Sequence, residues 1–126
     1  MKTVINTKNA PAPIGPYSQA VIANGFLFLS GQIAINPENG ELQMGSITEE
    51  THQVMRNINA VLLEADYTFD HVIKTTIFLS DMELFATVNE AYGSYFSSEF
   101  PARETVAVKG LPKGVNVEIS VTAYKG

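Results

Sequence analysis

The sequence predicts an α+β fold in which two helices cover one face of a single β-sheet. Segments with strand patterns are interrupted twice by segments of helical periodicity, in the order strands, helix, strand, helix, two strands. Each helical segment has one apolar stripe, so each helix can bury only one of its sides. The length of 126 residues fits one domain, residues 1–126, which can bury roughly two-thirds of the surface of the unfolded chain.

Six segments have the composition or the alternation of β-strands. They are residues 4–6, 17–23, 26–31, 72–79, a segment that begins at Arg103, and residues 115–124. Asn24-Gly25 joins the second and third of them and predicts a tight hairpin turn. Phe26–Gly31 is apolar on both faces up to Ser30, which indicates a central position in the sheet. Residues 10–17, with three prolines and a glycine, predict an ordered loop.

Two segments have helical periodicity. Ser46 and Glu49 have the spacing of a capping box, so we expect an amphipathic helix at about residues 48–65. Ser80 and Glu83 repeat that spacing ahead of a second, more aromatic helix. The apolar stripes are Val54, Met55, Ile58, Val61, Leu62 and Ala65 in the first helix, and Phe85, Val88, Tyr92, Tyr95 and Phe96 in the second.

The last strand indicates which residues face the helices. From Val115 to Ala123 every second residue is apolar, and the residues between them, including Glu118, are polar. Because both helices are expected on the same face of the sheet, the apolar residues should lie on that face and Glu118 on the other. Water or a second subunit then covers the face that carries Glu118.

Composition and motifs exclude several classes of function. A net charge of −5 and the lack of a basic patch argue against a nucleic-acid partner. The chain has no cysteine, so it offers no disulfide, thiolate nucleophile or sulfur-ligated metal. His52 and His71 have no partner at metal-ligand spacing and are expected at the surface. The first residues lack the apolar core of a signal peptide, and no apolar run approaches the ~20 residues of a membrane helix, so we expect a cytoplasmic protein with no membrane partner.

Arg103 is the first candidate for a binding residue. It is one of only two arginines, and the other, Arg56, falls on the polar face of the first predicted helix. Pro101 suits the start of a strand, and alternation places Thr105 on the same side as Arg103. A guanidinium held there can bind a planar anion with two parallel hydrogen bonds. An arginine that keeps an edge strand from pairing explains the segment equally well.

Five further residues carry groups that a site needs. Glu118, inside a strand, is a candidate general base if its face is covered and a solvated residue if it is not. Tyr17 offers a phenol to a pocket or packs in the core, and Asn89 reaches the same site or caps a helix face. Ser30 and Gly31 offer a hydroxyl and an approachable backbone, or simply end a strand.

Together, these residues and their neighbours resemble the RidA (YjgF) family over essentially the full length of the chain. The matching motifs are Ala12-Pro13-Ile14-Gly15-Pro16-Tyr17-Ser18-Gln19, Ser30-Gly31-Gln32, Phe85-Ala86-Thr87-Val88-Asn89 with Tyr92, Pro101-Ala102-Arg103, Leu111-Pro112 and Val117-Glu118-Ile119. The resemblance implies a fold like that of bacillary chorismate mutase, with a mixed sheet, and a homotrimer whose inner barrel is lined by the sheets. It also implies clefts between subunits that hydrolyse reactive 2-imino acids to 2-oxo acids and ammonia, with no cofactor and no metal. Those imino acids are the products of dehydratases that act on serine and threonine.

The resemblance implies a role for each candidate residue. Arg103 would hold the substrate carboxylate, and Glu118 would orient or deprotonate the attacking water. The remaining candidates would line the cleft or contact the substrate: Tyr17, Asn89, Ser30 and Gly31.

The chain departs from the family's motif just after the arginine. Many members have P-A-R-S-C-V-E-V, where this chain has Glu104, Thr105 and Ala107 in place of the serine, the cysteine and the second glutamate. We include Thr105 among the substrate-binding residues, and alternation predicts that Glu104 points away from Arg103. Two other functions stay open: a non-catalytic module that senses 2-oxo acids, and the endoribonuclease or translation-inhibitor role of some relatives.

Overall fold

The computed structural model describes residues 1–126 and confirms the predicted fold class. The strands and helices are β1 (Thr3–Ile5), β2 (Ala20–Ala23), β3 (Phe26–Gln32), α1 (Ile47–Glu64), β4 (Val72–Leu79), α2 (Phe85–Gly93), β5 (Ala102–Ala107) and β6 (Val117–Tyr124). They form one six-stranded sheet with the order β1-β2-β3-β6-β4-β5. The sheet is mixed because β4 and β5 are parallel and the other pairs are antiparallel. The third strand lies inside the sheet, as its apolar sequence predicts.

The core lies between the sheet and the two helices. Val117 and Ile119 of β6 are fully buried there, together with Ile58 of α1. The opposite face of the sheet has no helix, and it leaves Phe28 and Tyr124 exposed at 52% and 41%. The two faces of β6 are therefore as the alternation predicts, and the uncovered face carries large apolar side chains beside its polar ones.

Two strands are shorter than their sequence patterns predict. The second strand starts after Tyr17, because the Tyr17 N–H donates to the Gly15 carbonyl at 2.9 Å and turns the chain. The last strand starts after Val115, because the Val115 N–H donates to the Pro112 carbonyl at 3.2 Å and closes a short 3₁₀ turn. In both cases local turn bonds replace the ladder bonds of the sheet.

The helix caps confirm one prediction and correct another. Ser46 caps α1, and its hydroxyl accepts the Glu49 N–H at 3.1 Å. Ser80 does not cap the second helical segment; Asp81 does, and its carboxylate accepts the Glu83 N–H at 2.8 Å. The cap lies one residue later than predicted because a short 3₁₀ turn precedes α2 and begins directly after Asp81.

One buried side chain holds the proline-containing loop. Gln19 is 1% exposed, and its carbonyl oxygen accepts the Thr7 N–H at 2.7 Å. Its amide group donates to the Thr7 carbonyl at 3.0 Å and to the Pro11 carbonyl at 2.9 Å. The loop has few strand or helix bonds of its own, so Gln19 supplies the partners that its backbone needs.

No helix of the structure is both long enough and apolar enough to cross a lipid bilayer.

Candidate active site

A cavity of about 410 Å³ opens between the proline-containing loop, the end of β3 and the start of β6. We call it the Glu118 pocket. It contains four of the predicted site residues: Tyr17, Ser30, Gly31 and Glu118. The rest of its wall is formed by Pro11, Ala12, Ile14, Gln19, Gln32, Ile33, Ile35 and Pro112. The pocket thus surrounds one carboxylate with apolar side chains and a few hydrogen-bonding groups.

The Glu118 carboxylate lies directly against the backbone of Gly31. A Cβ atom at position 31 would lie 2.9 Å from Glu118 Cδ and still closer to Oε2, a contact that real Cβ atoms essentially never make. Only glycine therefore leaves room for the carboxylate in this place. Burial raises the pKa of Glu118 above the ordinary range of a glutamate, with no other cause contributing to the shift.

Ser30 and Tyr17 both line the pocket. The Ser30 hydroxyl donates to the Ser18 carbonyl at 2.7 Å, so its oxygen remains free to accept a hydrogen bond from a ligand. Tyr17 is 50% exposed, so it is not the core aromatic that the sequence allowed. Its ring lies at the surface of the cavity.

Arg103 belongs to a second group of side chains, which we call the Arg103 group: Arg103, Asn89, Phe85 and Tyr92. The guanidinium donates to Asn89 Oδ1 at 2.6 Å and lies 5.5 Å from the centres of both aromatic rings. These contacts fix its direction while the side chain stays exposed. Burial raises the pKa of Tyr92, and the hydrogen bond to Thr75 and the charge of Arg103 partly oppose that rise.

One chain does not bring Arg103 and Glu118 together. In the sheet, Arg103 is paired with Thr75 of β4, whereas Glu118 is paired with Phe78 of the same strand. Side chains an odd number of residues apart on a strand point to opposite faces. Arg103 therefore lies on the face that carries the helices, and Glu118 lies on the uncovered face.

The residues after Arg103 follow the predicted alternation. Glu104 points to the face opposite Arg103, where one of its carboxylate oxygens lies 3.6 Å from Lys74 Nζ. Thr105 lies on the side of Arg103, and its hydroxyl oxygen is buried without a hydrogen-bond partner. The glutamate that replaces the family's serine thus carries its charge on the face opposite the guanidinium.

The two histidines have structural hydrogen bonds. His52 Nδ1 lies 2.8 Å from the Tyr95 hydroxyl, and His71 Nδ1 accepts the Thr68 N–H at 3.0 Å. Both side chains are partly exposed, so they lie at the surface, where each also makes a hydrogen bond within the protein. No three His, Asp or Glu side chains are grouped as metal ligands.

Sequence reasoning missed three residues that shape the two sites. Gln19 lines the Glu118 pocket and holds the loop above it, a role that a polar residue next to an apolar strand could have suggested. Helical periodicity predicts that Phe85 and Tyr92 belong to a core stripe, but it does not show that both rings also lie near a guanidinium.

The structure is an α+β domain with a mixed sheet, a concave pocket around Glu118 and an exposed guanidinium in the Arg103 group. The sequence profile of the family described as Endoribonuclease L-PSP matches residues 7–125. The chain belongs to this family, which is the RidA (YjgF) family that the motifs indicate.

Two curated relatives show the range of names within the family. A protein of Lactococcus lactis, named as the candidate regulator AldR, is 54% identical over 120 residues, which are 95% of each chain. The human 2-iminobutanoate/2-iminopropanoate deaminase is 44% identical over 126 residues, which are 100% of this chain and 92% of the human protein.

Solved structures agree with the fold over nearly the whole chain. A protein of the Rid family from Yersinia pestis has a TM-score of 0.96 and 52% identity, covering 99% of this chain and 100% of the other. The TdcF protein of E. coli, solved with bound serine, has a TM-score of 0.94 and 35% identity, covering 98% of this chain and 99% of the other.

Proposed function

We propose that this protein is an enzyme that hydrolyses reactive 2-imino acids to 2-oxo acids and ammonia. The observation that carries the proposal is the Glu118 carboxylate, which lies partly desolvated against Gly31 in an otherwise largely apolar pocket. A carboxylate with a raised pKa is suited to take a proton from water near neutral pH. The human relative named as a 2-iminobutanoate/2-iminopropanoate deaminase supports the choice of substrate.

We further propose that the active unit is a homotrimer with its clefts between subunits. Arg103 and Glu118 lie on opposite faces of one sheet, so one cleft can contain both only if two chains contribute. Arg103 lies on β5, an edge strand whose outer side is open to another chain. The uncovered face of the sheet carries exposed apolar side chains that a neighbouring subunit would bury.

In the proposed reaction, Arg103 of one subunit binds the substrate carboxylate with two parallel hydrogen bonds. Glu118 of its neighbour takes a proton from water as the water oxygen forms a bond to C2 of the imine. The C=N double bond becomes a single bond, and its nitrogen takes up the proton held by Glu118. The resulting tetrahedral carbon carries a hydroxyl group and an amino group. The nitrogen then gains a proton, the C–N bond breaks, and the hydroxyl loses its proton to leave a 2-oxo acid and ammonia.

The imine is already electrophilic, so the site needs mainly to hold it and to activate water. The Ser30 hydroxyl oxygen is free to accept a hydrogen bond from the substrate nitrogen. In the proposed cleft, Tyr17 and Asn89 would line the walls around the substrate.

A threonine dehydratase supplied with threonine tests the proposal, because it releases the imine continuously. Free imine also hydrolyses without an enzyme, so a nucleophilic trap such as semicarbazide is added to compete for it. We expect this protein to increase ammonia release and to reduce the trapped adduct, and Glu118→Gln to lose about 10²- to 10⁴-fold of that activity. Equal trapping with and without the wild-type protein would exclude the deaminase function.

A ligand-sensing module is the second candidate function, because the relative from Lactococcus lactis is named as a candidate regulator. The same clefts would then bind a 2-oxo acid without turnover. Calorimetric titration with 2-oxobutanoate, together with the trapping assay, separates the two: binding without turnover favours the sensor. The endoribonuclease role suggested by the family's description has less support, since the net charge is −5 and phosphate backbones are bound by basic surfaces.

A further inference from the structure

Glu50 is a buried carboxylate that lies outside the Glu118 pocket. It belongs to the first turns of α1, is 0% exposed, and takes part in neither of the two salt bridges of the structure. Three hydrogen bonds converge on it instead. The N–H groups of Asn116 and Val117 donate to Oε2 at 2.7 and 3.0 Å, and the Asn116 side-chain amide donates to Oε1 at 3.0 Å.

The sheet explains why these donors need a partner. The pairing of β3 with β6 reaches Gln32 and Ile119 and goes no further, so no residue of β3 is paired with Val117. Backbone N–H groups that are buried without an acceptor destabilise a fold, and Glu50 provides the acceptor at this position. Burying the Glu50 carboxylate destabilises the fold by its desolvation, which opposes the stabilisation that its hydrogen bonds contribute.

Asn116 is held on its other side as well. Its carbonyl accepts the Ser80 N–H at 2.9 Å, and its side-chain oxygen accepts the Ser80 hydroxyl at 2.9 Å. Every polar group of Asn116 therefore has a partner, and the chain is fixed in direction just before it continues through Val117 to Glu118. The Glu118 carboxylate occupies the space that a side chain at position 31 would need, so its place against Gly31 depends on the direction in which β6 starts.

We propose that Glu50 is a positioning residue: by fixing the start of β6, it holds the Glu118 carboxylate in its desolvated place against Gly31. This inference rests on the proposed function, because it gives Glu118 the role of the base. Tyr17 is the only other ionisable side chain that lines the pocket. Loosening the strand start would let more water reach the carboxylate, and its pKa would then fall towards that of an ordinary glutamate.

Glu50→Gln tests the inference because the amide has nearly the size of the carboxylate but only one acceptor oxygen. At least one of the three donors must then face the NH₂ group. Glu49→Gln is the matched control, since it removes the same charge from the neighbouring, exposed residue of the same helix turn. The first measurement is a ¹³C NMR titration of the Glu118 carboxyl, assigned by its absence in Glu118→Gln. The second is the separation of kcat from KM for imine hydrolysis.

We expect Glu50→Gln to lower the pKa of Glu118 and to reduce kcat by at least about tenfold, which is part of the full contribution of a general base. The KM should stay within about twofold of the wild-type value. Glu49→Gln should change neither quantity. A folded Glu50→Gln protein with an unchanged Glu118 titration and an unchanged kcat would overturn the inference, even if its unfolding temperature fell.

Asn116→Ala is the variant that tests the inference if Glu50→Gln does not fold. It removes the bonds from the side chain to Glu50 and Ser80 but leaves the backbone N–H groups in place, so we expect a smaller shift in the same direction. An unchanged Glu118 titration in Asn116→Ala would also overturn the inference. The NMR titration does not depend on turnover, so it tests the positioning of Glu118 separately from the proposed function. A wild-type protein without hydrolytic activity would refute the proposed function, and the titration would still decide whether Glu50 positions Glu118.

Discussion

The chemistry proposed for Glu118 depends on what lies opposite its carboxylate. Gly31 has no side chain, so the carboxylate rests against the backbone and is partly shielded from water. Desolvation raises the pKa of the carboxyl because it disfavours the charged form. A base with a raised pKa binds a proton more strongly once it is ionised, which favours proton transfer from water.

The raised pKa of Glu118 predicts the pH dependence of hydrolysis. A general base acts in its deprotonated form, so kcat/KM should fall as the pH drops through the pKa, by about tenfold per pH unit below it. The acid limb should lie above the ordinary range of a glutamate, and Glu118→Gln should lack it in its residual activity. An acid limb in the range of an exposed glutamate would show that the carboxylate is solvated in the working enzyme. In the proposed cleft, the guanidinium of the neighbouring subunit would oppose the rise of the Glu118 pKa, so the limb should move to higher pH in Arg103→Ala.

Arg103→Lys should weaken the binding of 2-oxobutanoate by at least about tenfold, because charge-assisted hydrogen bonds contribute ~1.5–3 kcal/mol each and lysine loses one of the pair. An ammonium also lacks the planar group that lies between Phe85 and Tyr92. Arg103→Ala should weaken binding further. Calorimetric titration measures the affinity, and Arg56→Lys, the same change at the other arginine, should leave it unaltered. Equal affinity in all the variants would place the carboxylate anchor elsewhere.

At the scale of elements, the proline-containing loop forms one wall of the Glu118 pocket and depends on a single side chain. Gln19→Leu removes the acceptor of the Thr7 N–H and leaves that group buried without a partner. The loss should destabilise the protein by about 1–3 kcal/mol and loosen residues 7–16. We expect amide exchange at Thr7 to become at least about tenfold faster, since ~1.4 kcal/mol is a factor of ten.

Gln53→Leu is the control for this prediction. Gln53 is also a buried glutamine, but its partners Asn57 and Arg56 lie on its own helix. Its loss should destabilise the protein without a selective effect on the loop. If Thr7 exchanges equally fast in both variants, Gln19 does not hold the loop.

The sequence predicts the elements better than it predicts their contacts. The alternation in β6 was enough to separate its two faces, because a period of two residues is a local property of a strand. That Glu118 meets Gly31 depends on the register of β3 against β6, which shifts between Leu29 and Gln32. No pattern within one strand encodes such a register. The placement of Arg103 and Glu118 on opposite faces depends likewise on how β4 pairs with both of its neighbours.

At the scale of the whole molecule, three features of the single chain favour its assembly with further copies of itself. The sheet has one face without a helix, and large side chains such as Phe28 are exposed on it. The Glu118 pocket lacks a cation, and the Arg103 group lies on an edge strand with its guanidinium exposed. A trimer would cover the apolar face and complete the cleft in one step. Light scattering that shows a stable monomer at micromolar concentration would contradict this assembly.

Mixed trimers of Arg103→Ala and Glu118→Gln chains should recover activity that each variant lacks alone. If one subunit contributes Arg103 and its neighbour contributes Glu118, every mixed trimer contains one cleft with both wild-type residues, whichever variant is present twice. Trimers formed by co-expression and purified through a different tag on each variant should therefore have about one-third of the wild-type activity, because closed threefold symmetry gives three equivalent interfaces. Glu118→Gln chains mixed with the double variant are the control, since they form no intact cleft. If Arg103 and Glu118 of the same chain formed the site, every cleft in the mixture would keep one defect and the activity would not return.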